Sequence, residues 1–398
     1  MDGFGAALTN SSAYLIHRSS RRDEILRDLF TDDGIGISYV RLPMGASDFT
    51  SQPGYTYDDL PEGEVDPQMQ RFSIAPDKPF ILPVARDALE LNPSLRFMAS
   101  PWSAPAWMKA PRTLNGGSLA TQHYDAFALY FVRFVQAYED EGVPIDAVTP
   151  QNEPRHTTDT YPTMAMSPEG QARFVGQHLG PAFEANDIDA RILIWDHNWD
   201  MADFPLTVLA DETARSFTDG VAWHCYGGDV SAQSQVHEAY PEIGTYFTEC
   251  SGGEWDSDFA SVLTWNARNL FIGGVRNWAK TVLLWNLALD ENNGPHIGGC
   301  DTCRGVMTLH SDGSVVREPE YYSIGHFSKF VTPGARRIES TSIAGTLETV
   351  AFENPDGSKV LVALNPGSSP ANIDVQAGDE TFRYASIPPR SLLTLRWE

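Results

Sequence analysis

The sequence predicts an α/β fold: a closed (β/α)8 barrel followed by a small antiparallel β-sandwich domain. Three observations predict it. Eight short apolar runs recur along the first 330 or so residues, amphipathic stretches of helical period lie between them, and after residue 333 the period switches to two. The chain has 398 residues, which suits one large domain and one small one. The boundary is expected near Pro333, dividing a barrel over residues 1–333 from a sandwich over 334–398.

The apolar runs are 3–8, 37–44, 96–103, 146–153, 191–198, 220–228, 245–250 and 279–289. Most are continuously apolar until they end in polar or aromatic residues. That pattern suits parallel strands covered by helices on the outside. The helical candidates are clearest at 125–142, which ends at Gly142, at 167–186, which opens Ser-Pro-Glu, and at 256–274, which opens with an Asp/Ser cap and is expected to stop at Gly-Gly. Alternation of this kind eight times over reads as a barrel of the triosephosphate-isomerase type. From 336 onward, LETVAF, SKVLVALN, TFRYASI and SLLTLRW alternate between turn signals and read as antiparallel strands.

Composition narrows the function. There are 53 Asp and Glu against 28 Lys and Arg, a net charge of −25. That field repels phosphate backbones, so nucleic acid is not an expected partner, whereas neutral sugars are indifferent to it. The same charge also serves simple solubility. No stretch approaches the roughly 20 apolar residues of a membrane span. The N-terminal MDGFGAALTN has neither a basic region nor a long apolar one, so either the protein stays in the cytoplasm or the sequence begins after its leader. Four cysteines do not make a disulfide scaffold. Cys300 and Cys303, in a Gly-rich loop, are expected to form a small-loop disulfide, with free thiols or half a metal site as alternatives.

Barrel enzymes carry their chemistry at the C-terminal ends of the strands. Those ends hold Arg41 and then Asp48, Trp102, Asn152 with Glu153, His224 with Tyr226, Glu249, and Trp285 with Asn286. Glu153 and Glu249 are separated by 249 − 153 = 96 residues, about three βα units of roughly 30 residues each. This places them on the fourth and seventh strands, facing one another across the barrel mouth. Glycoside hydrolysis needs such a pair: one carboxylic acid to protonate the leaving oxygen, one carboxylate to attack the anomeric carbon. Asn152 is placed to bond a sugar 2-hydroxyl. Trp102 and Trp285 offer flat faces for a pyranose ring, and His224 and Tyr226 can hold the nucleophile. Taken singly, each has a plainer reading. A Glu at a strand end is more often a surface or salt-bridged residue, with Asp196 and Glu254 as rivals. A Trp is more often core, and Arg41 with Asp48 reads equally as an ion pair.

The motifs taken in order resemble glycoside hydrolase family 30, the glucosylceramidase and β-1,6-glucanase group of clan A: GFGAALTNSSA (3–13), VRLPMGASDFT (40–50), YTYDD (55–59), SPWSAPAWMK (100–109), TPQNEP (149–154), HCYGG (224–228), FTECSGG (247–253), WNLALDENNGP (285–295) and EYYSIGHFSKFVTPGARRI (320–338). The resemblance covers nearly the whole chain. It implies a retaining hydrolase of β-glucosidic bonds with Glu153 as acid/base and Glu249 as nucleophile. It implies that Arg41, Asp48, Trp102, Asn152, His224, Tyr226 and Trp285 form the pocket for the reacting sugar. It also implies a β-glucan or β-glucoside substrate, no cofactor and no metal, and a secreted or extracellular enzyme. Within the family, a xylosidase or xylanase is the alternative; it would want a basic group for a glucuronate, and none stands out. Outside this activity, a non-catalytic carbohydrate-binding barrel would have lost one of the glutamates. A metal-dependent barrel hydrolase would need a His-x-His pair, which the sequence lacks. Family members carry strands ahead of the Gly-Phe-Gly motif, which here begins at residue 3. The sandwich is therefore expected to be incomplete, with an exposed apolar face or edge on 336–398 and low stability or self-association.

Overall fold

The computed structural model describes residues 1–378 and 380–398. Eight parallel strands close into a barrel: β1 (Gly3–Ala7), β2 (Tyr39–Met44), β3 (Arg96–Pro101), β4 (Ile145–Val148), β5 (Arg191–Asn198), β6 (Gly220–His224), β7 (Gly244–Glu249) and β8 (Ala279–Leu284). Each pairs with its sequence neighbours, and β1 closes the ring on β8. All eight apolar runs of the sequence are strands.

Inside the barrel the period-two alternation builds layers. Tyr39, Met98, Ala147, Leu193, Ala222, Tyr246 and Leu283, one from each of β2 to β8, are fully buried together. This apolar floor is sealed from below by polar groups: the Tyr39 hydroxyl donates to Asp146 at 2.5 Å, and Arg191 donates to the Tyr246 hydroxyl at 2.5 Å. The next inward positions are polar: Arg41, Ser100, Thr149, His224 and Thr248. Asp196 joins them because β5 carries a bulge, its register slipping between Trp195 and His197, with both Trp195 and Asp196 at positive φ (74° and 66°). The candidate site sits on this polar layer.

The helices pack outside. The first predicted one runs Tyr124–Asp140, with Gly142 beyond it at φ 78°. The second is capped by Ser167, whose side chain accepts from the Gly170 amide, and continues through one wide π turn to Ala185. The third is capped by Asp258. It does not stop at Gly273-Gly274 but runs on to Arg276, because Gly274 and Val275 pack as a further buried turn. The fourth apolar run also differs from expectation. β4 ends at Val148, and residues 149–153, containing Pro150, leave strand geometry. They stay pinned between neighbours because the Asn152 amide donates to Pro101 O at 2.9 Å and that of Glu153 to Asp196 O at 3.0 Å.

Beyond the barrel, β9 (Arg336–Ile338), β10 (Glu348–Glu353), β11 (Lys359–Asn365) and β14 (Ser391–Trp397) form one antiparallel sheet. A hairpin of β12 (Ala371–Ala377) and β13 (Glu380–Ile387) forms a second. The strand over 371–377 was not among the predicted ones. The sheets share a small core of Ala351, Leu361, Ala363, Ile373, Val375 and Ile387. Between them runs a groove of about 660 Å³ edged by Ile338, Leu347 and the exposed Ile343.

Candidate active site

A cleft of about 670 Å³ opens at the C-terminal mouth of the barrel. Of the nine residues singled out in the sequence, Asp48, Trp102, Asn152, Glu153, Tyr226, Glu249 and Trp285 line it. Arg41 and His224 lie fully buried beneath, bonded to residues that do.

Glu153 and Glu249 face each other. One oxygen of each, and one ring nitrogen of His224, lie within 4.8 Å of one another. Glu153 comes off the irregular segment after β4 with φ at 47°, a sparsely populated conformation for a side-chain-bearing residue. The backbone bonds on either side hold it there, the pattern of strain kept at functional positions. Glu249 ends β7, next to a register shift against His224.

Donors converge on Glu249. Arg41 Nη1 forms a short ion-paired hydrogen bond to Oε2, and the Tyr226 hydroxyl donates to Oε1 at 2.9 Å. Arg41 does not pair with Asp48. Its other terminal nitrogen donates to Asn152 Oδ1 at 2.7 Å and Asp196 Oδ2 at 2.8 Å. Asn152 thus gives its carbonyl oxygen to the arginine and keeps its amide NH2 as the remaining polar end. His224 bonds elsewhere than to Glu249, from which its Nδ1 stands 3.9 Å away. Nδ1 meets Glu153 Oε1 at 3.1 Å and Nε2 meets Asp196 Oδ1 at 3.0 Å.

Asp196 is the hub that sequence reasoning ranked only as a rival carboxylate. Besides Arg41 and His224 it accepts from Ser100 Oγ at 2.5 Å, Thr149 Oγ1 at 2.7 Å and Thr248 Oγ1 at 2.8 Å. Burial pushes its carboxyl up, but the Arg41 and His224 charges and these hydrogen bonds hold it far below the usual range. An ionised Asp196 fixes the imidazole with its proton on Nε2, so Nδ1 is the atom that exchanges a proton with Glu153. Burial drives His224 down, yet Glu249 and Asp196 raise it to about 9. Burial likewise raises Glu153, and the His224 hydrogen bond more than reverses this. For Glu249 burial wins over the pull of His224 and Arg41. The three groups titrate as one unit. Between the two carboxylates, Glu249 accepts from a guanidinium and a phenol, whereas Glu153 shares its hydrogen bond with the His224 imidazole, the contact along which a proton can pass.

The walls are aromatic. Trp102 and Trp285 stack on each other with ring centres 5.2 Å apart and planes at 24°, and the Arg41 guanidinium lies 4.9 Å from the Trp102 ring and 5.6 Å from that of Trp285. One face of each indole is therefore spent on its neighbour rather than open to a sugar. Phe49 meets Trp285 edge-on, and Cys303 packs in the same cluster. Burial, reinforced by Glu249, pushes the Asp48 carboxyl well above its usual range. The loop of Gly298 and Gly299 closes over it: a Cβ on Gly299 would meet Asp48 Oδ2 at 2.2 Å, so only glycine fits, and its φ of 72° favours glycine as well. Cys300 and Cys303 form a disulfide on this loop, and a second bridge, Cys225–Cys250, joins the ends of β6 and β7. The second was not foreseen; 25 residues separate its members, and only the parallel pairing of β6 with β7 brings them together. Tyr161, His197 and Trp255 also line the cleft and were missed: Tyr161 and Trp255 lie on loops without a strand-end signal, and His197 follows the bulge in β5, which no single run reveals.

The glycosyl hydrolase family 30 TIM-barrel model matches residues 1–331, and the family 30 β-sandwich model matches residues 334–395. The chain belongs to glycosyl hydrolase family 30. It is a glycosidase. An endo-1,6-β-D-glucanase of Aspergillus fumigatus is 32% identical over 421 residues, covering 98% of this chain and 84% of the relative. The lysosomal acid glucosylceramidase of Mus musculus is 32% identical over 427 residues, covering 99% and 80%. Among solved structures, the endo-β1,6-glucanase BT3312 superposes with a TM-score of 0.94 at 36% identity, covering all of this chain and 91% of that one.

Proposed function

We propose that this family 30 glycosidase hydrolyses β-1,6-linked glucan by a retaining double displacement, with Glu249 as nucleophile and Glu153 as acid/base. The observation that carries the reading is the carboxylate pair. Oxygens within 4.8 Å of each other fit the roughly 5–5.5 Å of retaining enzymes and leave no room for the water that inverting enzymes hold between carboxylates about 6.5–9.5 Å apart. In the first step a Glu249 oxygen bonds to the anomeric carbon. The bond from that carbon to the leaving oxygen breaks, and the leaving oxygen takes the proton from Glu153. In the second step the Glu153 carboxylate takes a proton from water, the water oxygen bonds to the anomeric carbon, and Glu249 leaves as a carboxylate. Arg41 and Tyr226 bond the two oxygens of Glu249 and aim it. His224, fixed by Asp196, faces Glu153 at the atom that gives and regains the proton. Asp48, its carboxyl pushed up by burial, and the Asn152 amide are the polar groups offered to sugar hydroxyls.

The linkage follows the two β-1,6-glucanases named above, which align over almost the whole of this chain. A xylanase reading finds no support in the cleft, whose described lining contains no Lys or Arg to hold a glucuronate. The test is digestion of linear β-1,6-glucan, followed by proton NMR before mutarotation. A ladder of short oligosaccharides with new β-anomeric ends is expected. Glucose alone would make the enzyme exo-acting, α-anomeric ends would overturn the retaining mechanism, and no product from folded protein would transfer the reading to small β-glucosides such as glucosylceramide.

A further inference from the structure

The catalytic cleft does not end at Tyr226. A second hollow of about 320 Å³ adjoins it, and Tyr226, Ser251 and Trp255 border both. The far side is formed by Trp265, Asp256 and Arg304. Two of these residues are unusual for a folded surface: Trp255 is 61% exposed and Trp265 is 45% exposed. A single exposed apolar residue needs no explanation, but two indoles on the walls of one hollow continuous with a catalytic cleft are a built feature.

Trp255 is also held in place. Its ring lies flat on Gly253, where a Cβ would stand 2.0 Å from Cζ3, so this conformation requires glycine at 253. The loop beneath is tied down from several sides. Gly252 and Gly253 pair with Arg304 and Cys303. Arg304 donates to the carbonyls of Gly253 and Asp256 at 3.2 Å each, while its other donors bond Glu320 at 3.0 and 3.1 Å. The Cys225–Cys250 bridge lines the same hollow. One indole face is thus fixed on backbone and the other faces out, which is how a rigid stacking platform is made. Around it stand the hydroxyls of Tyr226 and Ser251, the Asp256 carboxylate and the Arg304 guanidinium, with Val262 as the one aliphatic side chain of the lining, which suits a ring with an apolar face and a polar rim.

We propose that this hollow is a binding subsite for a neutral glucosyl unit adjoining the one cleaved, with the open face of Trp255 as its stacking platform; the inference rests on the reading of the enzyme as a β-glucan hydrolase. It makes Trp255 a determinant of chain-length preference. The alternative occupant is an apolar aglycone.

The experiment compares wild type, Trp255→Ala, Trp255→Phe and Gly253→Ala on β-1,6-gluco-oligosaccharides of two to six units, on an aryl β-glucoside and on long-chain alkyl β-glucosides. The readout is kcat/KM for the longest oligosaccharide divided by that for the aryl glucoside, which cancels any general loss of folded enzyme. Losing a stacking face is expected to lower this ratio about 3- to 10-fold in Trp255→Ala, with Gly253→Ala following because its methyl displaces the ring, and Trp255→Phe keeping part of the ratio. An unchanged ratio in Trp255→Ala overturns the proposal, as does a selective loss on the alkyl glucosides. If wild type cleaves the aryl glucoside but no β-1,6 chain, the linkage reading has failed separately, and the same ratio is taken on β-1,3- and β-1,4-gluco-oligosaccharides. A chain-length dependence there that Trp255→Ala removes upholds the subsite; no dependence on any linkage overturns it.

Discussion

Replacing Asp196 by Asn tests the electrostatics of the site without touching either glutamate. The side chain keeps its shape, but one buried negative charge disappears 3.0 Å from His224 Nε2 and 2.8 Å from Arg41 Nη2. A unit charge about 4 Å from the imidazolium centre is worth about 4 kcal/mol at an effective dielectric of about 20. That corresponds to at most about three pH units, and single neighbouring charges commonly shift a group by about 1–3 units. The proton shared by His224 and Glu153 is therefore held less tightly, and the alkaline limb of the kcat/KM profile is expected to fall by about 1–3 pH units. The assay is a pH profile on two substrates, a β-1,6-gluco-oligosaccharide and an aryl β-glucoside with a good leaving group. The limb should move on the first and matter far less on the second, which needs no proton donor. An alkaline limb that stays in place on the oligosaccharide, in a variant that folds, would refute the claim that Asp196 acts on Glu153 through His224. Stability should follow with a definite sign. His224 is raised from 6.5 to about 9 in the fold, so its contribution is complete below about 6.5 and is lost as pH rises through about 9. The gap in melting temperature between wild type and Asp196→Asn should accordingly narrow above pH 9.

Two further substitutions bear on the same framework. Glu153→Ala should lower kcat/KM on oligosaccharides about 10²- to 10⁴-fold and far less on activated aryl glucosides; equal losses measured on both would argue against Glu153 as the proton donor. Away from the site, the buried Asp77 accepts hydrogen bonds from Tyr55, Tyr57 and Tyr138, and burial, opposed by those hydroxyls, raises it to about 6. Tyr138→Phe leaves it one donor short and should cost about 1–3 kcal/mol in denaturant unfolding, with the loss smaller at pH 4, where Asp77 is protonated; a variant as stable as wild type at pH 7 would contradict this.

The sequence by itself determined the barrel, because strand and helix periods are local properties of the chain: all eight apolar runs became strands, and the Ser167 and Asp258 caps opened their helices where the residue types call for it. It also brought seven of the nine candidate residues to the cleft, because the C-terminal ends of parallel strands point to one side whatever the details of packing. Tertiary structure decided how those residues are wired. That Arg41 bonds Glu249 and Asp196 rather than Asp48, and that His224 serves Glu153, depends on the bulge that turns Asp196 inward. A bulge is a register between strands, which no single run reveals. The stacking of Trp102 on Trp285 joins residues 183 positions apart (285 − 102), and the Cys225–Cys250 bridge needs β6 and β7 side by side. Trp255 was invisible for the same reason: its exposed face is a consequence of Gly253, Arg304 and the closed barrel together, whereas in the sequence it is one of ten tryptophans.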